Sequence, residues 1–260
     1  MTTTAEMGAS HGHALHHHGH SPVHRLPAHT KIVALLVFVL AVVATPRTTF
    51  WPYAAHLVAL LAAVRASRVP FAYLAKRLVV EVPFVVFALL MPFIATGPRT
   101  AVGPLELSVA GLWGAWALLA KGTLGVLASL LLAATTEPRD IIAGFERLHL
   151  PQPLVQIMSF MIRYLEVVTG ELNRMRIARA SRGFQARSLR QWPALGATLG
   201  ALFIRSYERG ERVHLAMLSR GYAGRMPTLH VLTATRAQWV LSGILPAVAV
   251  TVCAAGMVNA

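Results

Sequence analysis

The sequence predicts an all-α integral membrane protein of about five transmembrane helices (four to six), with long amphipathic helices on the cytoplasmic side. Three observations predict it. Charged residues make up 13% of the 260 residues, where soluble domains carry about 25%. Apolar types reach 55% and gather in five runs. The charge is lopsided, +14 from 24 Lys+Arg against 10 Asp+Glu, and over half of it falls in one stretch. Together these exclude an ordinary soluble enzyme and a disordered basic tail.

Taken in order, residues 1–30 form a polar tail holding eight of the twelve histidines, His11, His13, His16, His17, His18, His20, His24 and His29. Neutral imidazole suits cobalt, nickel, copper and zinc. The tract reads as a flexible collector, with His11, His13, His16, His17, His18 and His20 as weak ligands. No ordered site is expected, because nothing in the tract fixes a geometry. The apolar run after it leads into Pro46 and Arg47 rather than a small-residue cleavage site, which argues against a signal peptide.

Residues 31–134 carry four apolar runs: Ile32–Ala44, Phe50–Val64, Leu78–Ile94 and Leu105–Ala134. The first two fall short of the roughly 20 helical residues that cross a bilayer, which points to tilted spans, spans completed by polar flanks, or a re-entrant hairpin. Residues 237–260 hold the fifth run, Trp239–Val258. Charges inside spans are paired or functional. Glu81 lies four residues after Arg77, so a helical ion pair is expected. Lys121, beside Gly122 and Gly125, is open among kinking the span, snorkelling and contacting another subunit. Glu106 is expected at the external interface. Cys253, the single cysteine, excludes an intramolecular disulfide.

Residues 135–236 differ in composition. They hold fifteen Arg, no Lys and seven of the ten acids. The short loop Arg65–Arg77 adds Arg65, Arg68, Lys76 and Arg77, while Pro46–Thr49 and Ala95–Pro104 carry one basic residue each. Five crossings with the N-terminus inside put both basic segments in the cytoplasm. Within the block, Leu154, Met158, Met161, Leu165, Val168, Leu172 and Met175 make one apolar helical stripe, expected to pack on the second long helix or on the spans. Pro151 and Pro153 fit its entry, and the stripe runs on to Arg179 and Arg182 before Gly183 ends the helix. A second helix opens at Pro193, carries Leu195, Leu199 and Leu202, and closes at Arg220-Gly221.

The two ends match. Ser181-Arg182-Gly183-Phe184 and Ser219-Arg220-Gly221-Tyr222 are both Ser-Arg-Gly-aromatic, with the arginines 38 residues apart. An arginine at a helix C-terminus complements the dipole. Two matched ones point further, because a guanidinium forks onto carboxylates and each tip can dock in an acidic groove with the aromatic as anchor.

These residues carry a family resemblance. Thr135-Thr136-Glu137-Pro138, Leu148-His149-Leu150-Pro151, Met161-Ile162-Arg163-Tyr164-Leu165, Arg174-Met175, Ala178 to Phe184, Arg205-Ser206-Tyr207-Glu208-Arg209 and Ala216 to Tyr222 follow in family order. The chain resembles the transmembrane T component of energy-coupling factor (ECF) transporters, in the CbiQ-like branch of cobalt and nickel importers. The resemblance implies a non-catalytic scaffold in a bacterial inner membrane. Its implied partners are two cytoplasmic ABC ATPase subunits and a membrane substrate-binding subunit, with or without a small accessory membrane subunit. ATP would be bound by the ATPases, and this chain would bind no cofactor. The family's Ala-Arg-Gly docking triplets correspond here to Ser181-Arg182-Gly183 and Ser219-Arg220-Gly221, with Ser replacing Ala in both. A vitamin-type ECF importer is the alternative within the class.

Two other classes were weighed. An intramembrane lipid-modifying enzyme needs convergent acid–base groups, but His56, Glu81 and Glu106 are scattered and Asp140 is the only aspartate. A nucleic-acid-binding protein would need a basic face interleaved with aromatics, and none is found. There is no Gly-x-x-x-x-Gly-Lys-Ser/Thr loop, so the chain is not expected to be the ATPase.

Overall fold

The computed structural model describes residues 21, 23–96, 98–102, 105–184, 192–224 and 234–259. They are almost entirely helical and divide into two compact units: the helices up to residue 148 together with the last helix, and residues 149–224.

In the first unit, α1 is Ala28–Ala44 and α2 is Trp51–Ser67. Then come α3 (Phe71–Arg77), a 3-10 turn (Leu78–Glu81) and α4 (Val82–Ile94). A hairpin of β1 (Arg99–Val102) and β2 (Leu105–Ser108) leads into α5 (Val109–Thr135), α6 (Pro138–Arg147) and, after the second unit, α9 (Arg236–Val258). The second unit is α7 (Gln152–Ser181) and α8 (Trp192–Leu218).

The five apolar runs are thus five helical segments. Three are long and apolar enough to cross a membrane: Phe71–Ile94, Val109–Thr135 and Arg236–Val258. α1 is a shorter apolar helix of 17 residues, and α2 has the same length. The fourth run does not start as a helix. Leu105–Ser108 is strand β2, and Ser108 caps α5 by accepting from the Gly111 amide at 3.3 Å.

Proline and left-handed residues set the other boundaries. Pro46 follows α1, Pro52 sits in the first turn of α2, and Arg68, left-handed at φ 56°, stops α2 before Pro70, as a residue near a proline resists helical φ/ψ. α9 opens on a capping box between Thr235 and Gln238.

The core is where α1, α2, α5 and α9 meet, around Phe38, Leu60, Leu74, Leu124, Ala249 and Cys253. α4 packs on α5 and leaves the rest of its surface bare, with Phe87 66% and Ile94 74% exposed. A membrane helix presents such side chains to lipid. Aromatic residues mark both ends. Phe50 stacks on Trp113 at 5.2 Å and meets Trp116 at 5.0 Å, while His29 meets Trp239 edge-on at 5.7 Å. Trp113, Trp116 and Trp239 are of the residue type enriched at membrane interfaces. From Trp116 to Thr135, α5 rises about 29 Å, one hydrocarbon thickness.

Among the described residues, Glu81, Lys121 and Lys31 are each engaged. Glu81, buried in the 3-10 turn, accepts from Thr123 Oγ1 on α5 at 2.5 Å; the Arg77 guanidinium lies over the Tyr73 ring at 4.4 Å. Lys121 of α5 reaches across to the Val43 carbonyl at 2.6 Å, in the last turn of α1. Capping a helix end is a use not among those the sequence left open. Lys31 of α1 does the converse. Its buried ammonium donates to the Thr135 carbonyl at 2.8 Å and to Thr136 Oγ1 at 3.1 Å, at the end of α5.

α6 sits in this unit, on α1, with Ile142 buried. Gly144 permits the approach: a Cβ there would lie 2.9 Å from Ile32 Cδ1 and 3.0 Å from the His29 nitrogen. The junction at 134/135 expected from composition is the end of α5, and the compact units part at 148/149.

Phe38 is fully buried and Leu40, two residues on, is 66% exposed. Phe38→Ala is expected to cost about 3 kcal/mol through the cavity it leaves, and Leu40→Ala less than about 0.5 kcal/mol. Reversible unfolding in detergent would measure both.

Candidate partner-docking site: two arginine-tipped helix ends

Both Ser-Arg-Gly-aromatic segments fold the same way. At the end of α7, Gly183 takes φ 76°, its amide donates to the Ala180 carbonyl at 3.0 Å, and the Phe184 amide donates to the Arg179 carbonyl at 3.1 Å. At the end of α8, Gly221 takes φ 81°, its amide donates to Leu218 at 3.0 Å, and the Tyr222 amide donates to Met217 at 3.0 Å. Each is a Schellman motif, in which a left-handed residue lets two amides turn back onto orphan carbonyls. Glycine supplies that φ without the steric penalty of a Cβ.

The motif fixes where each side chain goes. Arg182 and Arg220 are exposed caps, and among the described residues neither guanidinium has an ion-pair or hydrogen-bond partner. The serines turn inward. Ser181 Oγ donates to the Ile177 carbonyl at 3.1 Å and Ser219 Oγ to the Ala216 carbonyl at 3.0 Å. A hydroxyl spent on its own helix leaves the outline close to that of alanine, which is why Ser can stand where the resembling family has Ala.

The aromatics are half-buried in their own fold. Arg179 lies over Phe184 at 5.5 Å, with its Nε and Nη1 buried and unpartnered. Tyr222 donates its hydroxyl to Gln156 Oε1 at 2.5 Å, and the Gln156 amide donates to the Gly224 carbonyl at 2.8 Å. Phe184 and Tyr222 therefore brace the tips as well as bordering them.

The tips stand at opposite ends of one antiparallel pair. Gln156, near the start of α7, meets Tyr222 beyond the end of α8. Further along, Glu171 of α7 binds Arg205 at 2.9 Å and Arg209 at 3.3 Å on α8. The 26 residues from Gln156 to Arg182, at about 1.5 Å each, set the two ends roughly 40 Å apart.

Within its own unit, the apolar stripe of α7 turns mostly away from α8. Leu154, Met161 and Leu165 are more than half exposed, while Val168 and Met175 are half-buried. The face toward α8 is instead Phe160, Tyr164, Val168 and Glu171, which border a cleft of about 390 Å³ or bridge it. Aromatic bulk and the Glu171 bridge, not the Leu/Met periodicity, decide which side of α7 turns inward. The sequence signal for Glu171 is an acid one turn before the arginine-rich end of α7, at Arg174, Arg176 and Arg179.

The collector histidines His11, His13, His16, His17, His18 and His20 lie outside the described residues. His24 shares a 2.7 Å hydrogen bond with Ser21 Oγ, and His29 lies against Trp239. Among the described residues no three His, Cys, Asp or Glu converge on a possible metal position.

A family model described as cobalt transport protein, CbiQ, matches residues 19–230. The chain belongs to the CbiQ family. Several relatives match over most of their length. The energy-coupling factor transporter transmembrane protein EcfT of Listeria innocua is 27% identical over 221 residues, covering 79% of this chain and 82% of that one. The EcfT of Bacillus subtilis is 28% identical over 220 residues, with 79% and 82% covered. An uncharacterized protein of Methanocaldococcus jannaschii is 32% identical over 117 residues, and there the alignment spans only 44% of the relative. With its apolar helices, this CbiQ-family chain is a multi-pass membrane protein.

The hydrogen bond from Arg205, with the charges of Arg205, Arg209 and Arg174, holds the Glu171 carboxyl below the usual carboxylate range. A lowered folded value means that the bridge stabilises the pair above the ordinary range and is lost as pH falls through the lower value. Amide protection across α7 and α8, taken as exchange relative to the intrinsic rate at each pH, is expected to hold above the ordinary carboxylate range and to fall as pH drops below it. Glu171→Gln should show the lower protection already at neutral pH and lack the acid step.

Proposed function

We propose that this chain is the transmembrane T component of an ECF importer for cobalt or nickel ions. It is a non-catalytic scaffold in the bacterial inner membrane, with its N-terminus and the α7–α8 pair in the cytoplasm. Two ABC ATPase subunits bind and hydrolyse ATP. A separate membrane subunit selects the ion, and this chain joins the two.

The observation that carries the reading is the repetition of one exposed arginine tip, unpaired among the described residues, at both ends of an antiparallel helix pair. An antiparallel pair has a local two-fold axis across it. Two equivalent tips about that axis suit two equivalent grooves on a two-fold partner, such as a pair of ATPases. A separation of roughly 40 Å keeps one groove from taking both. Each guanidinium would fork onto an acceptor in its groove, and Gly183 and Gly221 would let the groove wall close on the helix end.

The mechanism follows from stiffness. ATP binding draws the two ATPases together, and a helix end seated in each must move with its groove. α7 and α8 are bridged by Glu171 and by Gln156, so the pair transmits that displacement to the membrane helices and tilts the substrate subunit. The membrane family and the EcfT relatives support the scaffold role. The cobalt description of the family and the His-rich tail support a metal ion over a vitamin as cargo.

Arg182→Glu and Arg220→Glu together should abolish copurification of the ATPases while the protein still inserts. Either one alone should weaken ATPase binding by at least about 30-fold, the smaller end of what removing one partner of a buried charge pair costs. A double variant that keeps full assembly and uptake would remove the docking assignment. Deleting residues 11–20 should lower cobalt or nickel uptake chiefly at the lowest ion concentrations, as read from concentration curves in cells.

A further inference from the structure

The two lysines that cross between α1 and α5 form a reciprocal pair. Lys31, at the start of α1, donates to the end of α5 at Thr135 and Thr136, and more distantly to the His24 carbonyl at 3.5 Å. Lys121, within α5, donates to the end of α1 at Val43. Each ammonium thus sits at the negative end of the other helix's dipole and supplies donors to carbonyls that have no intrahelical partner. The two helices run antiparallel, so the two clamps lie at opposite ends of the pair.

The clamps differ in what lies next to them. Beyond Val43 the chain makes the short turn into α2. Beyond Thr135 it enters α6, and α6 is the link from the spans to α7. Lys31 holds the start of that link through Thr136, one residue before the Glu137 that precedes α6. Gly144 holds its end against Ile32 and His29 of the same helix α1. After α6 the chain turns at His149, left-handed at φ 60°, and Pro151 opens α7.

From this we infer that Lys31 is a positioning residue for coupling. It makes α6 one body with α1 and α5, so that displacement of α7 reaches the spans instead of being absorbed in a loose elbow. The inference rests on the transporter reading above. Lys121 serves as its internal control, because it has the same chemistry and the same kind of acceptor but no connection to α6.

The test uses the whole transporter, purified with its ATPases and placed in proteoliposomes. ATP hydrolysis and uptake of radioactive cobalt or nickel are measured on the same sample. Lys31→Met, which keeps the stem and removes the donors, should leave the complex assembled and ATP hydrolysis within about twofold of wild type. Ions moved per ATP should fall about tenfold, the size of an ordinary coupling between sites, and Lys31→Arg should recover part of that loss. Lys121→Met should lower the melting temperature yet leave ions per ATP within about twofold. Should Lys31→Met fail to assemble, Gly144→Ala, which wedges α6 off α1 without stranding a buried acceptor, carries the same expectation. Normal ions per ATP in an assembled Lys31→Met or Gly144→Ala complex would overturn the inference. So would an equal loss in Lys121→Met, which would make both lysines mere staples of the bundle. Absence of ATPases from the wild-type preparation would instead count against the transporter reading, so the two failures are distinct.

Discussion

The last carbonyls of an α-helix need donors from outside the helix, and in this protein the way they find them organises the rest. In water the solvent can supply them. Inside a bilayer it cannot, and an unsatisfied carbonyl there is costly. The spans answer with side chains. Lys31 caps α5 and Lys121 caps α1, which ties both ends of one antiparallel pair and gives a buried and a half-buried charge a use. The long helices α7 and α8 answer with backbone. A glycine at φ 76° or 81° turns the chain so that its own amides close the helix.

That second solution has a consequence for recognition. A Schellman turn needs no help from the side chain at the cap, so Arg182 and Arg220 are left exposed, with their guanidinium groups unspent. Other arginines of the pair are engaged internally: Arg205 and Arg209 on Glu171, Arg179 over Phe184. Part of the arginine excess therefore holds the pair together, and part is presented at the two helix ends. The serines add nothing outward, since each hydroxyl returns to its own helix.

How much of this could be read from the amino acids depends on how local each cause is. The five apolar runs and the paired Ser-Arg-Gly-aromatic ends are local patterns, and the structure has a helical segment at each run and the same turn at each end. The start of the fourth run misled, because Leu105–Ser108 is apolar enough for a span but pairs as a strand with Arg99–Val102. The α7 stripe left two partners open, and α8 is not the one its exposed members meet. Leu154, Met161 and Leu165 repeat with helical spacing, yet the side facing α8 is chosen by Phe160, Tyr164 and Glu171, whose partners lie more than thirty residues away. The lysine caps join residues 104 and 78 positions apart. A lone lysine in an apolar run says only that some partner exists, not which.

A scaffold with one tip at each end of a stiff pair should hold two ATPases and no other number. Native mass spectrometry of the complex, purified through this chain from cells that make all its partners, measures that directly. The account predicts one copy of this chain with two ATPase subunits, both lost together with the arginine tips. A wild-type complex carrying a single ATPase per chain, or none, would contradict it.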